Sequence, residues 1–232
     1  MYKARTIDSR TSSHRANATI QQRYFIGLVI GLVLLLPTIV IAHTHELTGL
    51  QARIFYDINN LDLSSGFTTV ARWVTEAFGA GYAIAACVIV PLFFKRYRLA
   101  WRFFFAAGGT TVFFYIIKKL INEPRPITML HGHVHQRVIE SGPGFPSGHE
   151  AAATVLALTL WVILPRKWRW LSAVWILIVA VSRLYLGVHT PADVVGGFAV
   201  GLIAACVIGL LPARIARPLH LDAEKPLIER GW

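Results

Sequence analysis

Apolar residues recur along this chain in six long runs that are separated by shorter polar segments. The runs lie near residues 24–42, 67–94, 101–121, 148–164, 170–187 and 191–212. Each is close to or above the roughly 17 residues that a helix needs to cross the hydrocarbon core of a bilayer. The pattern therefore predicts an all-α fold, an integral membrane bundle of six transmembrane helices.

The two ends of the chain differ from this middle part. Residues 1–23 are polar and rich in Ser, Thr and Arg, and residues 213–232 carry two prolines and charges of both signs. We expect one membrane domain over 24–212, with an N-terminal tail at 1–23 and a C-terminal tail at 213–232. The first apolar run is long for a signal peptide and no small-residue cleavage site follows it, which favours an uncleaved first span.

Composition and charge agree with a membrane protein. Hydrophobic residues make up 55% of the chain and charged residues 15%, whereas a soluble domain has about 25% charged residues. The net charge is +11, but 16 of the 23 basic residues fall in the tails and in alternate connections. The positive-inside rule then predicts that both termini are cytoplasmic. The excess of cations is a topology signal, which argues against a nucleic-acid partner.

The acidic residues lie mainly on the opposite side. Eight of the twelve fall on or near the predicted external face, which leaves that face almost neutral. This suits a substrate that arrives through the lipid. The first external connection, about 43–66, has Leu50, Ile54, Phe55, Ile58 and Leu61 at helical spacing, which predicts a short amphipathic helix. That helix could guide a lipid toward a site or simply pack against the bundle.

Three short segments break the membrane pattern with reactive side chains. They are Lys118-x6-Arg125-Pro126, Pro146-Ser147-Gly148-His149 and Ser182-Arg183-x5-His189-x3-Asp193. The predicted topology places all three at the external surface, although lateral adjacency is inferred rather than given by the pattern. Three cations, two imidazoles, a carboxylate and two hydroxyls are the groups expected of an enzyme that binds and transfers a phosphoryl group.

Capping signals place two of these segments at helix starts. Ser147 precedes Glu150 by three residues, and Thr190-Pro191 precedes Asp193 in the same way, so both have the form of a capping box. The free N–H groups of two helices would then face the site and favour an anion. A role for Ser147 and Asp193 as caps alone explains neither His149 nor His189.

Together the three segments closely resemble the pattern of the type-2 phosphatidic acid phosphatase superfamily, over roughly residues 50–212. The resemblance implies that His189 is the nucleophile and forms a phosphohistidine, that Asp193 orients it, and that His149 protonates the leaving oxygen and then activates water. It also implies a set of phosphate-binding residues. These are Lys118, Arg125, Ser147, Gly148, Ser182 and Arg183.

The implied function is a membrane lipid phosphatase that needs no metal or other cofactor and acts at the periplasmic or extracellular face of the cell (inner) membrane. The favoured substrate is undecaprenyl diphosphate, followed by phosphatidylglycerophosphate, phosphatidic acid and lipid A. A lipid phosphotransferase and a non-enzymatic membrane protein on the same scaffold are the competing hypotheses. Substrate identity and oligomeric state are not readable from the sequence.

A further group of histidines lies in the second external connection. His131, His133 and His135 alternate, a spacing that can bind a transition metal, but the nearest acid is Glu140. A solvated loop is the favoured interpretation, with a role near the substrate headgroup as the alternative. Glu150 is expected to be a cap rather than a catalyst.

Overall fold

A computed structural model describes residues 3–47, 49–77 and 80–211. These residues form helices and turns and contain no strand. The helices are α1 (Lys3–His43), α2 (Gly49–Asn59), α3 (Ser65–Ala77), α4 (Ala80–Phe93), α5 (Tyr97–Ile121), α6 (Pro126–Met129), α7 (Gly148–Ile163), α8 (Trp170–Tyr185) and α9 (Pro191–Leu210), with a 3-10 turn at Arg166–Trp168 before α8. The predicted all-α class is confirmed for the described part of the chain.

The six apolar runs all fall on helices, but the helices differ in length. Four segments are long and apolar enough to cross a membrane: Ile20–His43, Tyr97–Met129, Arg166–Tyr185 and Pro191–Leu210. The apolar helices α4 and α7 have 14 and 16 residues. At about 1.5 Å per residue they fall short of a hydrocarbon core of about 30 Å. Six spans therefore stay a prediction, as do the cytoplasmic termini.

The structure adds detail at the N-terminal end and in the second apolar run, and the domain boundaries stay a prediction. Helix α1 begins at Lys3, so it continues through residues that the polar composition assigned to a tail. No Gly or Pro occurs between residues 3 and 19 to stop a helix there. The expected C-terminal tail at 213–232 lies outside the described residues. The single run at 67–94 corresponds to two helices, α3 and α4, on either side of residues 78–79.

Helix α9 is the centre of the bundle. Ala199, Val200 and Ile203 pack against Leu35 and Ala42 of α1 in one buried cluster. On its other side α9 meets α7 closely, because two glycines leave room for backbone. A Cβ at Gly197 would collide with the carbonyl oxygen of Ser147, and one at Gly201 would lie 2.6 Å from the carbonyl oxygen of Ala151. The starts of α7 and α9 are thereby held side by side.

The predicted amphipathic helix in the first connection is confirmed as α2. Its Phe55 is fully buried against Leu184 of α8 and Val194 of α9. The helix thus contributes to the packing beneath the end of α8 and the start of α9, where the third motif segment lies.

Candidate active site

The start of α9 holds an imidazole and a carboxylate in contact. Thr190 caps the helix, with its Oγ1 accepting from the Asp193 N–H at 3.1 Å, while Asp193 Oδ2 accepts from the Thr190 N–H at 2.7 Å. The predicted capping box is therefore complete here. The same Oδ2 lies 3.2 Å from His189 Nδ1. With its proton on Nδ1, His189 donates to Asp193 and keeps the Nε2 lone pair free.

The electrostatics of His189 favour the neutral imidazole. The ring is completely buried, and this burial lowers its pKa from 6.5 to about 4, although the hydrogen bond to Asp193 acts in the opposite direction. A neutral ring with an engaged Nδ1 is competent as a nucleophile through Nε2 near neutral pH.

The start of α7 differs from the expected capping box. Ser147 does cap the helix, with its Oγ accepting from the Glu150 N–H at 3.4 Å. The Ser147 N–H, however, donates to the backbone oxygen of Asp193 at 2.9 Å rather than to Glu150. Both carboxylate oxygens of Glu150 are buried without a partner in the described part of the chain. The expected side-chain cap by Glu150 was wrong, because α9 lies close enough to supply a backbone acceptor instead.

The two arginines converge on an acid that the sequence did not single out. Glu140 Oε2 lies 3.0 Å from Arg125 Nη1, and Glu140 Oε1 forms an ion pair with Arg183 Nη2. The same carboxylate reaches within 3.9 Å of His189 Nε2. Arg183 is 1% exposed, and its Nε has no partner among the described residues.

Arg125 is also bound to the backbone around it. Its Nε donates to the carbonyl oxygen of Gly142 at 3.0 Å and its Nη2 to that of Ser141 at 3.2 Å. Its Nη1 donates to the carbonyl oxygen of Val188 at 2.9 Å, one residue before the buried imidazole of His189. Arg125 therefore ties the loop that carries Glu140 to the segment that leads into α9.

These groups line part of a cavity of about 360 Å³, and the rest of the cavity has mostly apolar walls. One end is polar, and its walls come from Lys118, Arg125, Glu140, His149 and His189. The other end lies between α4, α5 and α7 and is mostly apolar, with Ile84, Ala107, Phe114, Ala151, Ala152 and Val155 in its walls. The arrangement can hold an anion at one end and an apolar chain at the other.

The nine residues singled out by sequence occupy different places around this cavity. Those that line it are Lys118, Arg125, Gly148, His149 and His189. Asp193 lies behind His189, Arg183 is buried against Glu140, and Ser147 is a buried cap. Ser182 donates its hydroxyl to the carbonyl oxygen of Val179 at 2.7 Å, within its own helix. At Gly148 a Cβ would approach the Phe114 ring to 3.0 Å, so close packing of α7 on α5 favours glycine there.

Glu140 is the main site residue that sequence reasoning missed. Burial opposes its charged form, but Arg183, and then His189 and His149, outweigh that effect and lower its pKa from 4.5 to about 2. Glu140 lies in a loop, where the spacing of residues has no helical periodicity. Its cationic partners belong to other segments of the chain, so the sequence pattern did not indicate its role. Glu123, a buried acid beside the Asp193 carboxyl, was also not singled out.

A polar network anchors the loop that carries Glu140 to α2 and to the end of α8. The buried Asn59 side chain accepts from the His135 N–H at 2.9 Å and donates to the carbonyl oxygens of His135 and Tyr185 at 3.1 and 3.2 Å. Arg137 donates to the carbonyl oxygen of Asn59 at 2.9 Å and lies over the Tyr185 ring. The last residue of α2 thereby positions the loop against the end of α8, next to Arg183.

The three alternating histidines, His131, His133 and His135, are all exposed in the structure. Among the described residues, the group with ligand atoms close enough to share an ion is instead Glu140, His149 and His189. Arg125 and Arg183 contact the same carboxylate, so a metal cation there would be repelled. Because of the two arginines, this part of the site is better suited to an anion than to a metal cation.

Comparison with known proteins identifies the family. A model of the PAP2 superfamily matches residues 99–216, which is half of the chain. The chain belongs to the PAP2 superfamily. The resemblance drawn from the three motif segments is thus confirmed.

Several relatives match part of this PAP2 chain in sequence. Sphingosine-1-phosphate phosphatase 2 of Mus musculus is 30% identical over 119 residues, which cover 48% of this chain and 32% of the relative. Undecaprenyl-diphosphatase of Sulfolobus acidocaldarius is 41% identical over 58 residues, 25% of this chain and 28% of the relative. Lipid A 4'-phosphatase of Bacteroides thetaiotaomicron is 36% identical over 88 residues, 37% and 38% respectively. The matches thus span about a third of each relative's length.

Two solved structures share the fold. The crystal structure of Aquifex aeolicus LpxE covers 69% of this PAP2 chain and 95% of its own, with a TM-score of 0.62 and 24% identity. The phosphatidylglycerolphosphate phosphatase from Bacillus subtilis covers 77% and 93%, with a TM-score of 0.59 and 22% identity. At these sequence identities, the structural similarity supports a shared fold and nothing further.

Proposed function

We propose that this protein is an integral membrane phosphatase that removes a phosphate from a lipid phosphate or diphosphate. The observation that carries the proposal is the shape of the cavity, which has cations and two imidazoles at one end and apolar walls at the other. A phosphorylated lipid has the same two parts. The relatives are, by name, phosphatases of sphingosine-1-phosphate, undecaprenyl diphosphate and lipid A, which supports the same substrate class.

In the proposed mechanism His189 Nε2 attacks the phosphorus atom and forms a phosphohistidine. The bond between phosphorus and the leaving oxygen breaks, and His149 gives that oxygen a proton. His149 then takes a proton from water, which attacks the phosphohistidine and releases orthophosphate. Asp193 supports the imidazolium that forms, and Lys118, Arg125 and Arg183 stabilise the charge on the phosphoryl oxygens. Ser147, Gly148 and Ser182 complete the proposed phosphate-binding set, with Ser182 in a supporting position.

Undecaprenyl diphosphate is the substrate that we propose first, with undecaprenyl phosphate as the leaving group. Phosphatidylglycerophosphate, phosphatidic acid and lipid A are the alternatives that the test below separates. We also propose a single six-span domain over residues 24–212, with cytoplasmic tails at 1–23 and 213–232. The site would then open at the periplasmic or extracellular face of the cell membrane, which agrees with the distribution of basic residues.

A panel of these lipids in detergent tests the proposal. Orthophosphate release from at least one of them is expected to persist in the presence of a chelator, and to disappear in His189→Ala. Undecaprenyl diphosphate is expected to give the highest kcat/KM. Full activity in His189→Ala would overturn the mechanism. Loss of the donor phosphate without orthophosphate release, dependent on a second lipid, would instead indicate a phosphotransferase.

A further inference from the structure

The position between the two site arginines is filled by a side chain of the protein itself. Glu140 contacts Arg125 and Arg183 with one oxygen each, and its Oε2 lies 3.9 Å from His189 Nε2. A phosphoryl group attacked by His189 needs this same position, because its oxygens must meet both guanidinium groups while its phosphorus faces Nε2. The carboxylate and a substrate phosphate therefore compete for one place.

The arginines indicate that a carboxylate fills this place incompletely. Arg183 is buried, yet its Nε has no partner among the described residues, so the two oxygens of Glu140 leave one donor unsatisfied. An unsatisfied buried donor is unfavourable. A phosphate offers three oxygens and up to two negative charges, and it can satisfy donors that a singly charged carboxylate cannot.

The Glu140 side chain can leave the position between the two arginines without a movement of the loop backbone. Arg125 holds the backbone oxygens of Ser141 and Gly142 on one side of Glu140, and Arg137 is tied to α2 on the other side. Ile139 is 92% exposed and the Glu140 side chain 20% exposed, so solvent adjoins this stretch. Rotation of one side chain toward solvent frees the position while the backbone stays anchored.

We propose that Glu140 is an internal anion that occupies the phosphate subsite between turnovers, and that it selects for a terminal phosphate by competing with weaker anions. The inference rests on the proposed function. A terminal phosphate displaces the carboxylate because it carries more charge and more acceptor oxygens. A phosphodiester headgroup, with one negative charge, does not. The bilayer surrounds this site with phosphodiester lipids, so such competition keeps the subsite available for the rarer substrate.

The test compares the wild type with Glu140→Gln, which has nearly the same shape and no charge. Inhibition by orthophosphate and orthovanadate is measured on the full chain in detergent, together with inhibition by phosphatidylglycerol in mixed micelles. Loss of the competitor is expected to lower the inhibition constant of orthophosphate about tenfold. Phosphatidylglycerol is expected to inhibit the variant and not the wild type. Glu46→Gln, at an exposed position, is the matched control and is expected to behave as the wild type.

An unchanged or weaker binding of orthophosphate by Glu140→Gln would contradict the inference. If Glu140 only holds the two arginines in place, Glu140→Gln will bind orthophosphate no better or more weakly than the wild type, which overturns the inference. Should the glutamine variant fail to fold, Glu140→Asp decides, because its shorter carboxylate cannot reach both arginines and is expected to compete less. A wild type that neither releases phosphate nor responds to orthovanadate contradicts the proposed function itself, independently of Glu140.

Discussion

His189 Nδ1 lies 3.2 Å from Asp193 Oδ2, and that oxygen also accepts the backbone N–H of Thr190 at 2.7 Å. One carboxylate oxygen therefore caps α9 and orients the proposed nucleophile. Since the cap fixes Asp193, and Asp193 fixes the ring, the direction of His189 Nε2 is set by the helix start rather than by a flexible loop.

Replacement of Asp193 should separate these two tasks. Asp193→Asn can still accept from Thr190, but it removes the charge that supports a protonated ring. We expect kcat to fall by about 10³- to 10⁴-fold, as for the loss of the acid in a nucleophile–His–Asp triad. Thr190→Val is the control: it removes the Oγ1 acceptor of the cap and should cost about 1 kcal/mol of stability. Its kcat should stay close to that of the wild type, because the backbone N–H of residue 190, which holds Asp193 Oδ2, remains.

The low pKa of His189 predicts an unusual pH dependence. The ring is neutral above about pH 4 and is protonated, hence not nucleophilic, below it. His149→Ala with p-nitrophenyl phosphate, a substrate whose leaving group needs no proton, isolates this step. The burst of p-nitrophenol should have a constant rate from about pH 5 to pH 8 and fall toward pH 4. An inflection near pH 6.5 would contradict the neutral, buried state of His189.

Arg183 should not tolerate lysine. Its buried guanidinium bonds Glu140 through Nη2 and has a further buried donor, Nε, without a partner among the described residues, whereas lysine is a point charge that cannot reproduce this fork. We expect Arg183→Lys to lower kcat/KM by about 10²- to 10³-fold. Lys119→Ala, at an exposed position one residue after Lys118, is the control and should remain near wild-type activity. Equal losses in the two variants would show a general charge effect.

Asn59 should act at a distance through the loop that it anchors. Asn59→Ala leaves the His135 N–H without its acceptor and removes the donor to the C-terminal end of α8. We expect a loss of about 1–3 kcal/mol in stability and a raised KM, because Glu140 and Arg125 lose a fixed backbone. Thermal unfolding in detergent and steady-state kinetics measure the two effects. Asn60→Ala, at the exposed neighbouring position, should change neither.

The proposed topology has its own test. A periplasmic reporter fused after Gly132 is expected to be active and one fused after Arg98 inactive, since the basic cluster that contains Arg98 is predicted to be cytoplasmic. The reverse pattern would place the cavity on the cytoplasmic side and would exclude an outer-leaflet substrate.

The sequence predicted those parts of the site that follow local rules. Helix starts at Gly148 and Pro191 were readable because capping residues and proline act within one turn. The amphipathic spacing that predicted α2 is equally local. Cations and histidines at these helix ends were readable because polar groups are rare in membrane spans.

The rest depended on contacts between distant segments. Glu140 meets Arg183 across 43 positions of the chain, and Asn59 meets Tyr185 across 126. Nothing in the local spacing of either residue indicates such a partner. Ser182 faces its own helix and Glu150 has lost its cap partner, because helix packing decided both orientations. Similarly, the length of an apolar run did not reveal that α4 and α7 would be short.

The glycines of α9 have a consequence for how this protein can diversify. Because Gly197 and Gly201 seat α7 directly on α9, both histidines belong to one two-helix unit, whereas Glu140 belongs to a separate surface segment. Under the proposed roles, chemistry and selectivity are thus encoded in different pieces of chain. Residues 127–142 could be exchanged for those of a relative, which would transfer headgroup preference onto an unchanged reaction centre.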